Sequence, residues 1–339
     1  MTPTRIITER KDAMGARLCI MAHHYQHDDV VRHADILGDS LELARRIDGL
    51  GAEHIVFCGV HFMAETAAIL ARPGQKVHIP DEDASCVMAD MVPAQLAEKV
   101  IAALKAGGSR VIPLTYVNSS AAVKAVCGRH GGSVCTSANA RTMMQWALDQ
   151  GDGVLFLPDA NLGANTARAL GIAPSRVHRL DVRSQGRFVP AADTAGNIYL
   201  WPGLCAVHAR FHTEHIEAIR RDEPDALVLV HPECHPDVVA MADGAGSTSY
   251  LIKAVAEAPA GSTIYVGTEW NLVNRLTARH QDRTVRPLLT ALCSNMAKIT
   301  EENLAGCLTA LDTAEPVRVG EDVAGPARLA LQRMLDACR

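Results

Sequence analysis

Short apolar runs of strand length, each followed by a polar loop and then a stretch of helical period, recur along this chain and leave few folds open to it. Residues 18–22 lead into a helical stretch at 29–46, 56–57 into 64–70, and 110–114 into 120–126. Residues 154–157, 198–200, 227–230 and 263–266 repeat the pattern. Unbroken apolar strands are covered on both faces, and strands alternating with helices build parallel sheets. An α/β protein is therefore expected.

Composition narrows the function classes. At roughly 150 residues per domain, 339 residues suggest two to three domains. With 48% hydrophobic and 21% charged residues, the chain has ordinary globular usage and little room for global disorder. Net charge is −5 with no basic stripe, which argues against a nucleic-acid partner. No run reaches the roughly 18 apolar residues of a membrane helix, and the opening MTPTRIITE lacks a secretory apolar core. A cytoplasmic enzyme is expected, where ten cysteines suggest metal or catalysis before disulfides.

The loops repeat as well. CIMAHHYQ (19–26), VIPLTYVN (111–118) and IYLWPGLCAVH (198–208) each end in polar, aromatic or thiol residues, as do VFCGVHF (56–62), SVCTSAN (133–139) and LVLVHPECH (227–235). Spacings of roughly 80 to 95 residues suggest three similar α/β units at 1–105, 106–190 and 191–312. A helical tail follows at 313–339, amphipathic over 327–337, and the Gly- and Pro-containing segment 183–196 is the best linker.

Ligands of parallel sheets bind beyond the carboxyl ends of the strands. Those loops carry His23, His24, Tyr25, Tyr116, Asn118, Ser137, His208, His231, Glu233, Cys234 and His235. Neither a P-loop nor a strand-following GxGxxG is present, so a nucleotide is disfavoured. Gly38-Asp39-Ser40 and Gly244 to Thr248 stand before helical stretches and suit either an anion or plain N-capping. His231, Cys234 and His235 could offer zinc three ligands, although Pro232 and the close spacing make convergence hard. Cys86, Cys205 and Cys293 sit in turn-rich contexts with small neighbours, whereas Cys19 and Cys58 read as core.

In order along the chain come AHHYQ (22–26), GDSLELAR (38–45), DEDASCVMADM (81–91), TYVN (115–118), CTSAN (135–139), WPGLCAVH (201–208), HPEC (231–234), GSTS (246–249) and YVGTE (265–269). Together they resemble the A-type quinolinate synthases of NAD biosynthesis, over about residues 18–304. The resemblance implies three α/β/α units with parallel sheets in pseudo-threefold arrangement around a central cavity. It implies one 4Fe-4S cluster held by Cys86, Cys205 and Cys293, with one iron open as a Lewis acid. It also implies condensation of iminoaspartate with dihydroxyacetone phosphate, with loss of phosphate and two waters. By motif, His23, Ser40, Tyr116, Val117, Asn118, Ser137, His231, Pro232, Glu233, Ser247 and Thr248 would bind the substrates. Tyr25, His208, His231 and Glu233 would be nearest the proton transfers, with Glu233 as base and Tyr25 as acid. An aspartate-oxidising enzyme would supply the imine. Cys293 lacks the CxxCxxC run of some family members, which argues against a regulatory disulfide there.

Overall fold

The computed structural model describes residues 1–47, 49–106, 108–182 and 197–338. The expected linker, 183–196, lies outside the described residues. The apolar runs form strands of three parallel sheets. The first holds β1 (Leu18–His23), β2 (Ile36–Gly38), β3 (His54–Cys58) and β4 (Lys76–His78) in the order β2-β1-β3-β4. The second holds β5 (Val111–Tyr116), β6 (Ser133–Cys135), β7 (Gly153–Leu157), β8 (Val177–Arg179) and β9 (Asn197–Leu200), ordered β6-β5-β7-β9-β8. The third holds β10 (Leu227–Val230), β11 (Gly244–Ala245), β12 (Thr263–Gly267) and β13 (Thr284–Pro287), ordered β11-β10-β12-β13.

Each sheet thus repeats one order: second, first, third and fourth strand, with β8 added at the far edge of the second. Equivalent registers join the central pairs, Leu18 with His54, Val111 with Gly153, and Leu227 with Ile264. Connections leave the first and third strands of such a sheet in opposite directions, which opens a crevice between their carboxyl ends. Three crevices result, at β1/β3, β5/β7 and β10/β12.

Burial follows the strand period of two. In the third unit Val228 and Val230 enter one apolar core while Leu229, Ile264 and Val266 enter the other, so helices cover both faces. Strands β1, β3, β5, β7 and β9 are buried at every residue. The tail is a helix, Glu321–Ala337, packed on Ala121–Arg129 of the second unit. Its backbone approaches so closely that a Cβ on Gly128 would lie 1.9 Å from the Pro326 carbonyl oxygen. Among the described residues no helix is long and apolar enough to cross a membrane.

Three expectations need correction. The stretch 29–46 is interrupted by β2, a three-residue edge strand too short to show a period. The repeat is real, but its members are β1, β5 and β10, since the segment at 198 is a fourth strand. Finally, β9 pairs with β7 and β8, so by strand pairing the second unit runs beyond residue 190 and includes Asn197–Leu200.

Candidate active site

The three first-strand loops meet at one cavity of about 950 Å³, counting its open mouth. Two of them fold alike. His23 accepts the Gln26 N–H on its carbonyl at 3.0 Å and the Tyr25 N–H on Nδ1 at 3.2 Å. His231 likewise accepts from Cys234 at 3.0 Å and from Glu233 at 3.4 Å. With Nδ1 as acceptor, each neutral ring carries its proton on Nε2. Both are neutral: burial first, then neighbouring imidazoles, pushes each histidine down to about 3. The third loop brings Tyr116 and Asn118, and the Asn118 Oδ1 lacks a hydrogen-bond partner.

Second-strand loops supply hydroxyls. Asp39 caps the helix Ser40–Ile47, its Oδ1 accepting from Leu41 and Glu42 N–H at 3.0 Å each, and Ser40 lines the cavity. Ser247 caps Thr248–Glu257 through the Tyr250 N–H at 3.3 Å, and Thr248 lines the cavity. Ser137 joins them from the second unit. Plain capping therefore describes Asp39 and Ser247. Three expected substrate-binding residues are not on the cavity wall. Ser247 is spent as a cap, Val117 is buried with its N–H on Cys135 O, and the Pro232 carbonyl accepts from Asn165.

A hydrogen-bonded chain crosses the site. The Tyr116 hydroxyl donates to Glu233 Oε1 at 2.6 Å, and Glu233 Oε2 lies 2.8 Å from His208 Nδ1. His208 Nε2 is 3.1 Å from Thr268 Oγ1, which is 2.8 Å from the Tyr25 hydroxyl. His208 stacks on His231 with centroids 4.4 Å apart. Burial opposes ionisation of Glu233, yet the neighbouring His208 and the hydrogen bonds from His208 and Tyr116 hold its carboxyl well below the usual range. Burial and then the Glu233 charge push both phenols, Tyr25 and Tyr116, well above theirs. A carboxylate kept ionised and a phenol kept protonated are thus linked through imidazole and hydroxyl. Thr268 is absent from the candidates drawn from sequence, because only the fold sets it between Tyr25 and His208.

Cys86, Cys205 and Cys293 all line this cavity. Each follows the fourth core strand of its sheet, β4, β9 or β13, so every unit contributes one thiol. The turns match: the Cys86, Cys205 and Cys293 carbonyls accept from Asp90, Ala209 and Ala297 N–H at 3.2, 2.9 and 3.0 Å. Backbone N–H groups of Met88 and Ala89, of His208, and of Asn295 and Met296 face the three sulfurs. Burial pushes the Cys86 thiol up to about 12 and raises Cys205 and Cys293 as well, and a bound cation would favour their thiolates. Three soft donors that line one cavity, each faced by backbone N–H groups, fit an iron–sulfur cluster. Cys205, His208 and Glu233 also bring ligand atoms within 4.8 Å of one another. The His231–Cys234–His235 zinc arrangement does not form. The Cys234 thiol points to the Gly267 carbonyl, and His235 is an exposed cap of the helix Pro236–Met241.

Two buried carboxylates back the thiol loops, and neither was singled out from sequence. Glu269 caps Trp270–Arg279, accepting from Asn271 N–H at 2.7 Å and Cys293 N–H at 3.4 Å. Asp159 caps Ala160–Ala169 through Leu162 N–H at 2.7 Å, with the Cys205 N–H facing it. Burial raises both, Glu269 to about 7. Glutamate is not a preferred cap residue, which hides it from sequence reading.

Residues 5–336 match the family described as quinolinate synthetase A protein. Quinolinate synthase of Corynebacterium glutamicum is 45% identical, covering 98% of this chain and 86% of that protein. That of Halalkalibacterium halodurans is 44% identical (97% and 92%), and that of Herpetosiphon aurantiacus 46% (97% and 91%).

Proposed function

The chain belongs to the quinolinate synthetase A protein family and is thereby a quinolinate-forming enzyme; from that premise we propose that it condenses iminoaspartate with dihydroxyacetone phosphate, releasing one phosphate and two waters per quinolinate. Iminoaspartate hydrolyses readily, so an aspartate-oxidising enzyme is its natural source. The observation that carries this reading is the meeting of three equivalent thiols and one acid–base chain in a single cavity.

Cys86, Cys205 and Cys293 would hold one 4Fe-4S cluster. Bound by only three thiolates, it would leave one iron without a protein ligand and would supply Lewis-acid polarisation of a substrate oxygen. The remaining work falls to side chains. The Nε2–H groups of His23 and His231 donate to substrate carboxylate, while Ser40, Ser137, Thr248 and Asn118 take the other carboxylate and the phosphate. Glu233, kept ionised, accepts the proton from substrate carbon during isomerisation and ring closure. Tyr25, kept protonated, gives one to the departing hydroxyl. Thr268 and His208 then return a proton from the base to Tyr25, which closes the circuit.

The test is turnover by anaerobically prepared protein given dihydroxyacetone phosphate and iminoaspartate made from oxaloacetate and ammonia. Quinolinate with an equal amount of phosphate is expected. Phosphate release without quinolinate, or neither product, contradicts the proposal.

A further inference from the structure

The loops that carry Tyr25 and Glu233 are each gripped by a helix of another unit, and the two grips are the same device. In the helix Trp270–Arg279 the Asn271 amide donates to the Tyr25 carbonyl at 3.1 Å. Arg275, four residues on and therefore on the same helix face, donates to the flanking His24 and Gln26 carbonyls at 2.8 and 2.6 Å. It also pairs with Asp28 at 2.6 Å. In Ala160–Ala169 of the second unit, Asn161 donates to the Glu233 carbonyl at 3.2 Å. Asn165, again four residues on, donates to the flanking Pro232 and Cys234 carbonyls, at 2.9 Å each.

Counted from the caps Glu269 and Asp159, the gripping residues stand at the same two positions, and in each case they take three consecutive carbonyls. The equivalent helix of the first unit, His61–Leu70, has Phe62 and Thr66 there. Thr66 turns its hydroxyl to its own helix, on the Phe62 carbonyl, so the Tyr116 loop lacks this clamp. A guanidinium only 4% exposed is costly unless its donors are satisfied, and Arg275 satisfies them on that one loop.

We propose that Asn271 with Arg275, and Asn161 with Asn165, are positioning clamps that fix the Tyr25 and Glu233 side chains relative to each other across unit boundaries. Their caps accept from, or face, the N–H groups of Cys293 and Cys205, so each helix registers one proton-transfer loop against one thiol loop. The proposal rests on the roles given above to Tyr25 and Glu233.

The experiment uses full-length, anaerobically loaded protein carrying Arg275→Ala, Arg275→Lys or Asn165→Ala, with Arg279→Ala as an exposed control on the same helix. Amide hydrogen exchange, iron content, kcat and KM are measured with and without added guanidinium. Both Arg275 variants should exchange faster over residues 22–28 and Asn165→Ala over 231–235, each with iron retained. A displacement of about 1 Å costs about 100-fold, so kcat should fall between about 10- and 100-fold with KM nearly unchanged. Guanidinium should restore part of both protection and kcat in Arg275→Ala but not in Arg275→Lys, and Arg279→Ala should match native protein. Native exchange rates in the named loops, or kcat within about twofold of native, overturn the proposal. So does a loss in Arg275→Ala that guanidinium leaves untouched. Should Arg275→Ala fail to fold, Arg275→Lys decides through its local exchange. If even native protein forms no quinolinate, the proposed reaction fails, and the exchange and its guanidinium response still decide on the clamp.

Discussion

Glu233 is 3% exposed and carries two short hydrogen bonds, so its chemistry separates cleanly from its packing. Glu233→Gln keeps the shape and can still accept from Tyr116, but a carboxamide takes up no proton. Iron content should match native protein while kcat falls about 10²- to 10⁴-fold; normal turnover would remove Glu233 from the mechanism. A different carboxylate contributes to acid stability. Glu301 lies 2.7 Å from both Arg32 and His33 and accepts from Thr4. Burial opposes its charge, but those bonds hold its pKa at about 2 against the usual 4.5. A depressed carboxyl stabilises the fold above 4.5, and that contribution disappears as pH falls from 4.5 toward 2. Glu301→Gln should lower Tm at pH 7 and flatten its fall across that window; an unchanged acid profile would mean the cluster contributes nothing.

Elements differ in how plainly they were written in the chain. The central strands β1, β5, β7 and β10 were legible because both faces are buried and nearly every residue is apolar. Edge strands β2, β4, β8 and β11, of two or three residues, carry no measurable period and were missed, whereas β6, equally short, was legible only through the repeated loop pattern of SVCTSAN. Site residues of rare type at strand ends, such as His23, Tyr25 and Glu233, were legible through motif and position together. Thr268, Glu269, Asp159, Asn165 and Arg275 were not, because common residue types acquire meaning only from what they face. The same holds for Gly128, which lets the tail helix close on Ala121–Arg129. Gly128→Ala must push Pro326 away, at a cost of about 1–3 kcal/mol. Thermal unfolding should shift down by several degrees, about 2 °C per kcal/mol in a chain this long; an unchanged Tm would mean the tail does not dock this tightly.

At the scale of the molecule, one layout is used three times and then differentiated. Each unit sends a first-strand loop, a hydroxyl from the segment after its second strand and a post-fourth-strand cysteine to the shared cavity. The loop ends are then assigned different chemistry: phenol at Tyr25, amide at Asn118, carboxylate at Glu233. The backbone brace behind each thiol is threefold too, from His61 N–H to Ala84 O, Ala160 to Gly203, and Trp270 to Ala291, at 2.7, 2.9 and 2.9 Å. The second and third units add a buried carboxylate to that brace, Asp159 or Glu269, where the first unit has Val60.

The proposed mechanism turns on whether three thiols from three sheets serve one inorganic centre, and metal analysis of anaerobically purified protein tests that directly. About four iron and four sulfide per chain, with absorption near about 400 nm, are predicted. Cys86→Ala, Cys205→Ala and Cys293→Ala should each lose that iron, while Cys58→Ala, Cys127→Ala and Cys307→Ala keep it. Colourless native protein carrying one zinc, or Cys293→Ala with its full iron content, would contradict the account.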